Sequence, residues 1–252
     1  MNRYTKNINK IEFVVCDACT GNCSHCSEGE HKGKTNRLDP EKAAAVVYDV
    51  CRYYEVKTVM TFGGEPMLNP GAVYAIHKAA SEMNVPRRQI ITNGFFSRER
   101  EGIAESVKCL RDCGVNDVLL SADAFHQEYI PFDIVRTFAE AAVREHLPIR
   151  LQPAWLVSRE HDNPYNNKTR EILAELSKLG ISENEGNVIF PEGNALKYLS
   201  EYFDPNEKII NPYAESPDDI RTVSVSADGE VLGGNINTCR IIDIIGNYDP
   251  SR

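Results

Sequence analysis

Between residues 11 and 190, six short β-branched runs alternate with five helical segments. That alternation constrains the fold more than any other feature. The runs are "IEFVV" (11–15), "KTVMTF" (57–62), "RQIITN" (88–93), "NDVLLSAD" (116–123), "PIRLQPAWLV" (148–157) and "GNVIF" (186–190). The segments between them, 39–55, 69–84, 97–114, 132–146 and 166–180, read as helices. Asp39 caps the first with Pro40 at its first position, and Ser97 caps the third, which Gly114 closes. Strands joined only through helices must run parallel, so the chain is α/β with a parallel sheet. After the sixth run the pattern stops. The stretch 201–219, "EYFDPNEKIINPYAESPDD", reads as a linker or lid, and "RTVSVSADGEVLGGN" (221–235) as a β-hairpin turning on Asp228–Gly229. The expected division is a core over 1–192 and a C-terminal cap and linker over 193–252.

With 252 residues the chain is long enough for one large α/β core. Acids outnumber bases 37 to 28, for a formal charge of −9. Nucleic acid and an anionic membrane are therefore not the expected partners. No window approaches eighteen consecutive apolar residues, and "IEFVV" (11–15) in the opening is too short and too interrupted by Glu12 to be a secretory core. The expected location is cytoplasmic, where clustered cysteines point to metal or redox chemistry rather than disulfides.

Four of the eight cysteines fall within "CDACTGNCSHC", residues 16–26. Cys19, Cys23 and Cys26 have the spacing C-x3-C-x2-C and begin in the loop leaving the first strand. In parallel α/β folds the C-terminal ends of strands carry the chemistry. Three thiolates on one loop suit three irons of a cubane and leave the fourth iron open to a small molecule. Cys16 could serve as a fourth ligand and close the cluster, and two C-x2-C pairs could hold zinc. Cys51, Cys109 and Cys113 fall on helices and read as small core residues.

The C-x3-C-x2-C loop resembles the signature of the radical S-adenosylmethionine (radical SAM) enzymes. His25 stands before the third cysteine, where that family usually has an aromatic residue. "GGEP" (63–66) after the second strand, "TNG" (92–94) after the third and "LSADAFH" (120–126) after the fourth match family motifs in order. The resemblance covers about residues 11–190 and implies a partial (β/α)6 TIM-like barrel. It implies a 4Fe-4S cluster on Cys19, Cys23 and Cys26, and S-adenosyl-L-methionine cleaved there to a 5′-deoxyadenosyl radical that takes hydrogen from a substrate. By the same analogy Gly63, Gly64 and Glu65 receive the methionine amino group. Asn93, Ser121 and Asp123 contact the methionine carboxylate or ribose, and Gln152 is a further candidate. An electron donor such as flavodoxin or ferredoxin is implied. The general acid and base stay unassigned, His126 being as readily a structural residue as a proton donor.

"DGEV" (228–231), Cys239 and "IGN" (245–247) loosely resemble the SPASM extension of peptide-modifying members, but with too few cysteines for its auxiliary clusters. The expected substrate is a peptide or protein side chain. The alternatives are an activase of glycyl-radical enzymes or, outside catalysis, a zinc or electron-transfer protein.

Overall fold

The structure is a computed structural model, and it describes residues 2–204, 211 and 213–251. The core elements follow the expected order: β1 (Lys10–Val14), α1 (Pro40–Tyr53), β2 (Thr58–Phe62), α2 (Pro70–Glu82), β3 (Arg87–Thr92), α3 (Arg100–Asp112), β4 (Asp117–Ser121), a short α4 (Ala124–Gln127), α5 (Phe132–Arg144), β5 (Ile149–Gln152), β6 (Ala154–Trp155), α6 (Pro164–Ser177), β7 (Ser182–Glu183) and β8 (Asn187–Val188). The C-terminal segment adds α7 (Asn194–Tyr198), β9 (Thr222–Val225), β10 (Glu230–Val231), β11 (Gly234–Asn235) and α8 (Ile241–Asn247).

Seven strands form one parallel sheet in the order β7-β5-β4-β3-β2-β1-β9. The order is linear, so the sheet is an open, partial barrel. Its register pairs Ile11 with Val59, Ile90 with Val118 and Leu120 with Leu151. Burial alternates along β1 and β2, whereas all five residues of β4 are buried, as a central strand covered on both faces requires. On α1, Ala43, Val46, Val47 and Val50 recur at helical spacing and are buried. They join Ile11, Phe13, Val59, Ile76, Ile103 and Phe138 in one core between sheet and helices. The Asp39 side chain accepts from Lys42 N at 2.9 Å, as a cap should.

Four local expectations are corrected. Ser97 does not cap α3: its Oγ accepts from Glu99 N, and the helix begins beyond it at Arg100. The fifth run breaks at Pro153, which has no N–H to offer a ladder. Ile149–Gln152 stays in the main sheet, and Ala154–Trp155 pairs instead with Asn187–Val188. The sixth place in the sheet therefore falls to Ser182–Glu183, a short, exposed and polar pair with no hydrophobic signal. In the tail the turn at Asp228–Gly229 forms, with Gly229 N donating to Ser226 O at 2.9 Å. The arm before it does not ladder with the arm after it: Thr222–Val225 runs parallel to β1 as the edge of the main sheet, and Glu230–Val231 pairs with Gly234–Asn235. Of the expected linker or lid over 201–219, residues 205–210 and 212 lie outside the described residues. Among the described residues, no helix is long and apolar enough to cross a membrane.

Candidate functional site

A cavity of about 240 Å³ opens at the C-terminal ends of the strands. It is lined by Cys19, Cys23 and Cys26 from the loop after β1 and by Gly63 and Gly64 after β2. Asn93, Ser121, Asp123 and Gln152 reach it from the ends of β3, β4 and β5. Nine of the ten residues singled out in the sequence thus share one cavity; Glu65 does not line it.

Gly21, which has no Cβ, lets two of the thiols approach. A Cβ there would lie 3.2 Å from Cys23 Sγ and 3.8 Å from Cys19 Sγ. Cys19 Sγ also accepts from Gly21 N at 3.3 Å and from Asn93 Nδ2 at 3.7 Å. Burial pushes the Cys19 thiol up to about 12 and raises Cys23 and Cys26 as well. These thiols therefore stay protonated until a cationic metal centre displaces their protons. Three soft donors around one cavity fit a cubane cluster with one iron left open. Cys16 does not line the cavity. It is fully buried, with its thiol donating to Glu65 O at 3.1 Å, so it packs as a core thiol.

The two glycines bring the loop after β2 against the cysteine loop. Gly64 N donates to Cys16 O at 2.9 Å and Glu65 N to Ala18 O at 2.8 Å. A Cβ on Gly64 would stand 2.1 Å from Ala18 O, and Gly63 has a φ of +138°. The glycines are therefore required by backbone contact alone. The Glu65 side chain points into the protein. It accepts from Met67 N at 3.0 Å, Thr92 Oγ1 at 2.7 Å and Asn93 N at 2.8 Å. Burial raises its carboxyl to about 7 against the pull of these donors.

Asp123 is fully buried at the start of α4, where Oδ1 accepts from His126 N at 2.9 Å. Its Oδ2 takes Ala154 N at 3.1 Å and His126 Nδ1 at 2.8 Å. Burial alone would push this carboxyl up, but His126 outweighs it and holds Asp123 at about 2. His126 is raised in turn: burial works against the imidazolium and the Asp123 charge prevails. His25 stands edge-on to His126, ring centroids 4.8 Å apart. Burial pushes His25 down to about 4.

Two residues, His31 and Asn194, escaped the sequence reading, and so did the pairing of two that it named. His25 and His126 face each other in the cavity, and their motifs were visible but their pairing was not. His31 presents Nε2 to Cys26 Sγ at 3.3 Å, while its Nδ1 faces Asp17 O at 2.7 Å. A carbonyl only accepts, so Nδ1 carries the proton in the neutral ring and Nε2 accepts from the thiol. Asn194 closes the cysteine loop from the C-terminal side, donating from N to Cys26 O at 2.9 Å and from Nδ2 to Cys23 O at 3.0 Å.

Comparison with known proteins agrees with this geometry. The family model of the radical SAM superfamily matches residues 13–194. A GTP 3′,8-cyclase of Desulforamulus reducens is 26% identical over 131 residues, which is 51% of this chain and 38% of that protein. A probable GTP 3′,8-cyclase of Methanocaldococcus jannaschii is 23% identical over 126 residues, 50% of this chain and 40% of that protein. The match to these relatives thus spans well under half of their length. Streptococcus suis SuiB bound to S-adenosylmethionine is similar in fold, with a TM-score of 0.63 and 13% identity over 97% of this chain and 66% of that one. The anSMEcpe structure with bound AdoMet and the Cp18Cys peptide has a TM-score of 0.59 and 14% identity over 96% of this chain and 80% of that one.

Proposed function

Because the chain belongs to the radical SAM superfamily, we propose that it is an oxidoreductase or maturase acting on a peptide or protein side chain held at the mouth of this cavity. When bound, the 4Fe-4S cluster and S-adenosylmethionine together supply the 5′-deoxyadenosyl radical that takes hydrogen from the substrate.

In this reading Cys19, Cys23 and Cys26 hold the cluster. The backbone at Gly63 and Gly64 faces the methionine amino group. Asn93, Ser121, Asp123 and Gln152 orient the methionine carboxylate and the ribose. Glu65 acts through the loop it braces and not by direct contact. Asn93 and Asn194 keep the cysteine loop in place through their bonds to it. Reduction falls to a partner such as flavodoxin or ferredoxin.

The observation that carries the substrate reading is the charge of the cavity. Among its described lining residues there is no Lys or Arg, and the charged side chains are the carboxylates of Glu28 and Asp123, with three histidines beside them. A nucleoside triphosphate needs fixed cations or backbone nests for its phosphates. The rim is instead apolar and aromatic, with Val188, Ile189, Phe190 and Tyr213. Such a rim suits an uncharged stretch of peptide better than GTP, although the GTP 3′,8-cyclases are relatives by sequence.

The test is isotope transfer in the reconstituted, reduced enzyme. Uncharged peptides deuterated on their side chains should pass deuterium into 5′-deoxyadenosine. Deuterium transfer from ribose-labelled GTP, with none from the peptides, would overturn the substrate reading and leave the family assignment intact. The family match favours neither a zinc or electron-transfer protein nor a glycyl-radical activase.

A further inference from the structure

We propose that the cluster-free chain carries a site for a single borderline transition-metal ion, made by Cys23, His25 and His126, whose occupation excludes cluster assembly because both need Cys23. One thiol sulfur and two imidazole nitrogens of these residues lie within 4.8 Å of one another. Among the described residues they are the one group of three or more potential metal ligands so arranged. One sulfur and two nitrogens with a fourth position open to a cavity is a donor set that zinc and cobalt accept in tetrahedral geometry.

Two further observations point to a ligand. His126 is already oriented as a metal-binding imidazole is. Its Nδ1 is held 2.8 Å from Asp123 Oδ2, which leaves Nε2 as the nitrogen that a metal ion can take in exchange for a proton. The Asp123 carboxylate is itself fixed by the N–H groups of His126 and Ala154. His25 contributes the second signal: its Nδ1 is shut off from solvent and has no hydrogen-bond partner. A buried polar atom without a partner needs an explanation, and a metal ion entering the cavity would supply one. Metal–ligand bonds of about 2.0–2.3 Å require the donors to close by roughly 1 Å, within the reach of side-chain rotation. Loading releases to solvent the Cys23 thiol proton and, from a charged His126 ring, the Nε2 proton as well, and involves no redox change.

The site and the cubane share Cys23 and differ in everything else. The cluster takes Cys19 and Cys26, and the single ion takes His25 and His126. Zinc bound first would therefore hold the loop in a form that cannot accept the cluster. The proposal concerns the cluster-free protein and stands or falls separately from the substrate reading above.

The test is a crossed pair of variants, titrated anaerobically with cobalt as the reduced, cluster-free full chain. Wild type should bind one Co²⁺ with tetrahedral d–d bands and a thiolate charge-transfer band. The Cys19→Ala/Cys26→Ala double variant should keep that spectrum while failing to assemble a cluster. His25→Phe, which keeps the ring and removes the nitrogens, should lose the tetrahedral spectrum. It should still take up about four iron and four sulfide per chain. One equivalent of zinc added first should slow cluster reconstitution of wild type and leave His25→Phe unaffected. His126→Ala repeats the test if circular dichroism shows His25→Phe misfolded. A cobalt spectrum lost in the double-cysteine variant and kept in both histidine variants would assign the ion to the three thiols and overturn the proposal.

Discussion

Glu65 Oε1 accepts a hydrogen bond from Thr92 Oγ1 at 2.7 Å, which ties the loop after β2 to the end of β3. Both residues are buried, and Glu65 also satisfies the backbone N–H groups of Met67 and Asn93. Glu65→Ala leaves three donors without an acceptor. Each costs about 1–3 kcal/mol if it stays dry. The variant should lose at least about 2 kcal/mol of stability in chemical denaturation of the cluster-free protein. It should also weaken S-adenosylmethionine binding after reconstitution, because Asn93 sits on the displaced strand end. Weaker cofactor binding with unchanged stability would mean that the carboxylate touches the cofactor directly and that the bracing role is wrong.

The cysteines divide into three that line the cavity and one beside them that does not. Replacing Cys19, Cys23 and Cys26 together with alanine should abolish cluster binding and cofactor cleavage. Cys16→Ala should retain about four iron per chain, because Cys16 is buried and donates to Glu65 O. Iron analysis with the ultraviolet–visible spectrum decides both. A cluster lost from Cys16→Ala alone would make that thiol a ligand.

Gly64 presses against the cysteine loop so closely that a Cβ would meet Ala18 O at 2.1 Å and Asp17 O at 2.9 Å. Both are backbone atoms and cannot rotate away. Gly64→Ala should therefore push the two loops apart, at a cost of about 1–3 kcal/mol, and lower the yield of reconstituted cluster. Thermal melting of the cluster-free variant reads the first effect and iron content the second. Wild-type values in both would mean that the loops are less closely held than the hydrogen bonds from Gly64 N and Glu65 N indicate.

What could be read from the sequence, and what could not, follows from the range of each contact. The cysteine triple, Gly63–Gly64 and the Asp39 cap are local patterns, and each stands where its spacing put it. The arm Thr222–Val225 looked like half of a hairpin, because its neighbour in sequence also favours a strand. Its partner is instead β1, some two hundred residues earlier, where Val223 meets Ile11. Asn194 reaches Cys23 O across 171 residues. No local pattern marks either pairing. Ser182–Glu183 was missed for another reason: an exposed polar pair at a sheet edge buries nothing and leaves no hydrophobic trace. Glu65 carries a motif position, but Thr92 and Asn93 reach it only once β2 and β3 stand side by side, whereas Asp123 meets His126 locally and needs the fold only for its bond from Ala154 N.

His77 gives a pH test away from the cavity. It is buried on α2, with Nε2 2.9 Å from Thr61 Oγ1 and Nδ1 without a partner. Burial lowers it from 6.5 to about 3. The unfolded chain binds a proton below 6.5 that the native state refuses. The stability His77 allows is therefore full above that pH and is lost as pH falls toward 3, by about 2 kcal/mol at pH 5. Glu65 works the other way: raised to about 7, it holds a proton the unfolded chain releases, so its share is lost as pH rises through 7. The difference between wild type and His77→Gln isolates the histidine. Denaturation at pH 7.5 and pH 5 should show the variant losing less stability on acidification; equal losses would mean that His77 is protonated without cost.

The tail should carry no second cluster. Cys239 is exposed and lies in a shallow groove against α1, beside Lys42, Asp49 and Arg240. Among the described residues it belongs to no group of potential metal ligands. Cys51 and Cys113 pack at the edge of the main core, with Cys113 donating to Leu110 O at 3.2 Å. A cubane needs three or four thiolates on one side of one cavity, whereas Cys51 lies on α1, Cys113 at the end of α3 and Cys239 ahead of α8, each with its own neighbours. Around Cys239 the chain instead spends its residues on packing: Ile241, Ile244 and Ile245 of α8 are buried in the main core. Iron and sulfide analysis of the anaerobically reconstituted chain should give about four of each, unchanged by Cys239→Ala. A value near eight that falls to four in that variant would make the tail a working cluster domain, and would require Cys239 to meet thiols that the fold keeps apart.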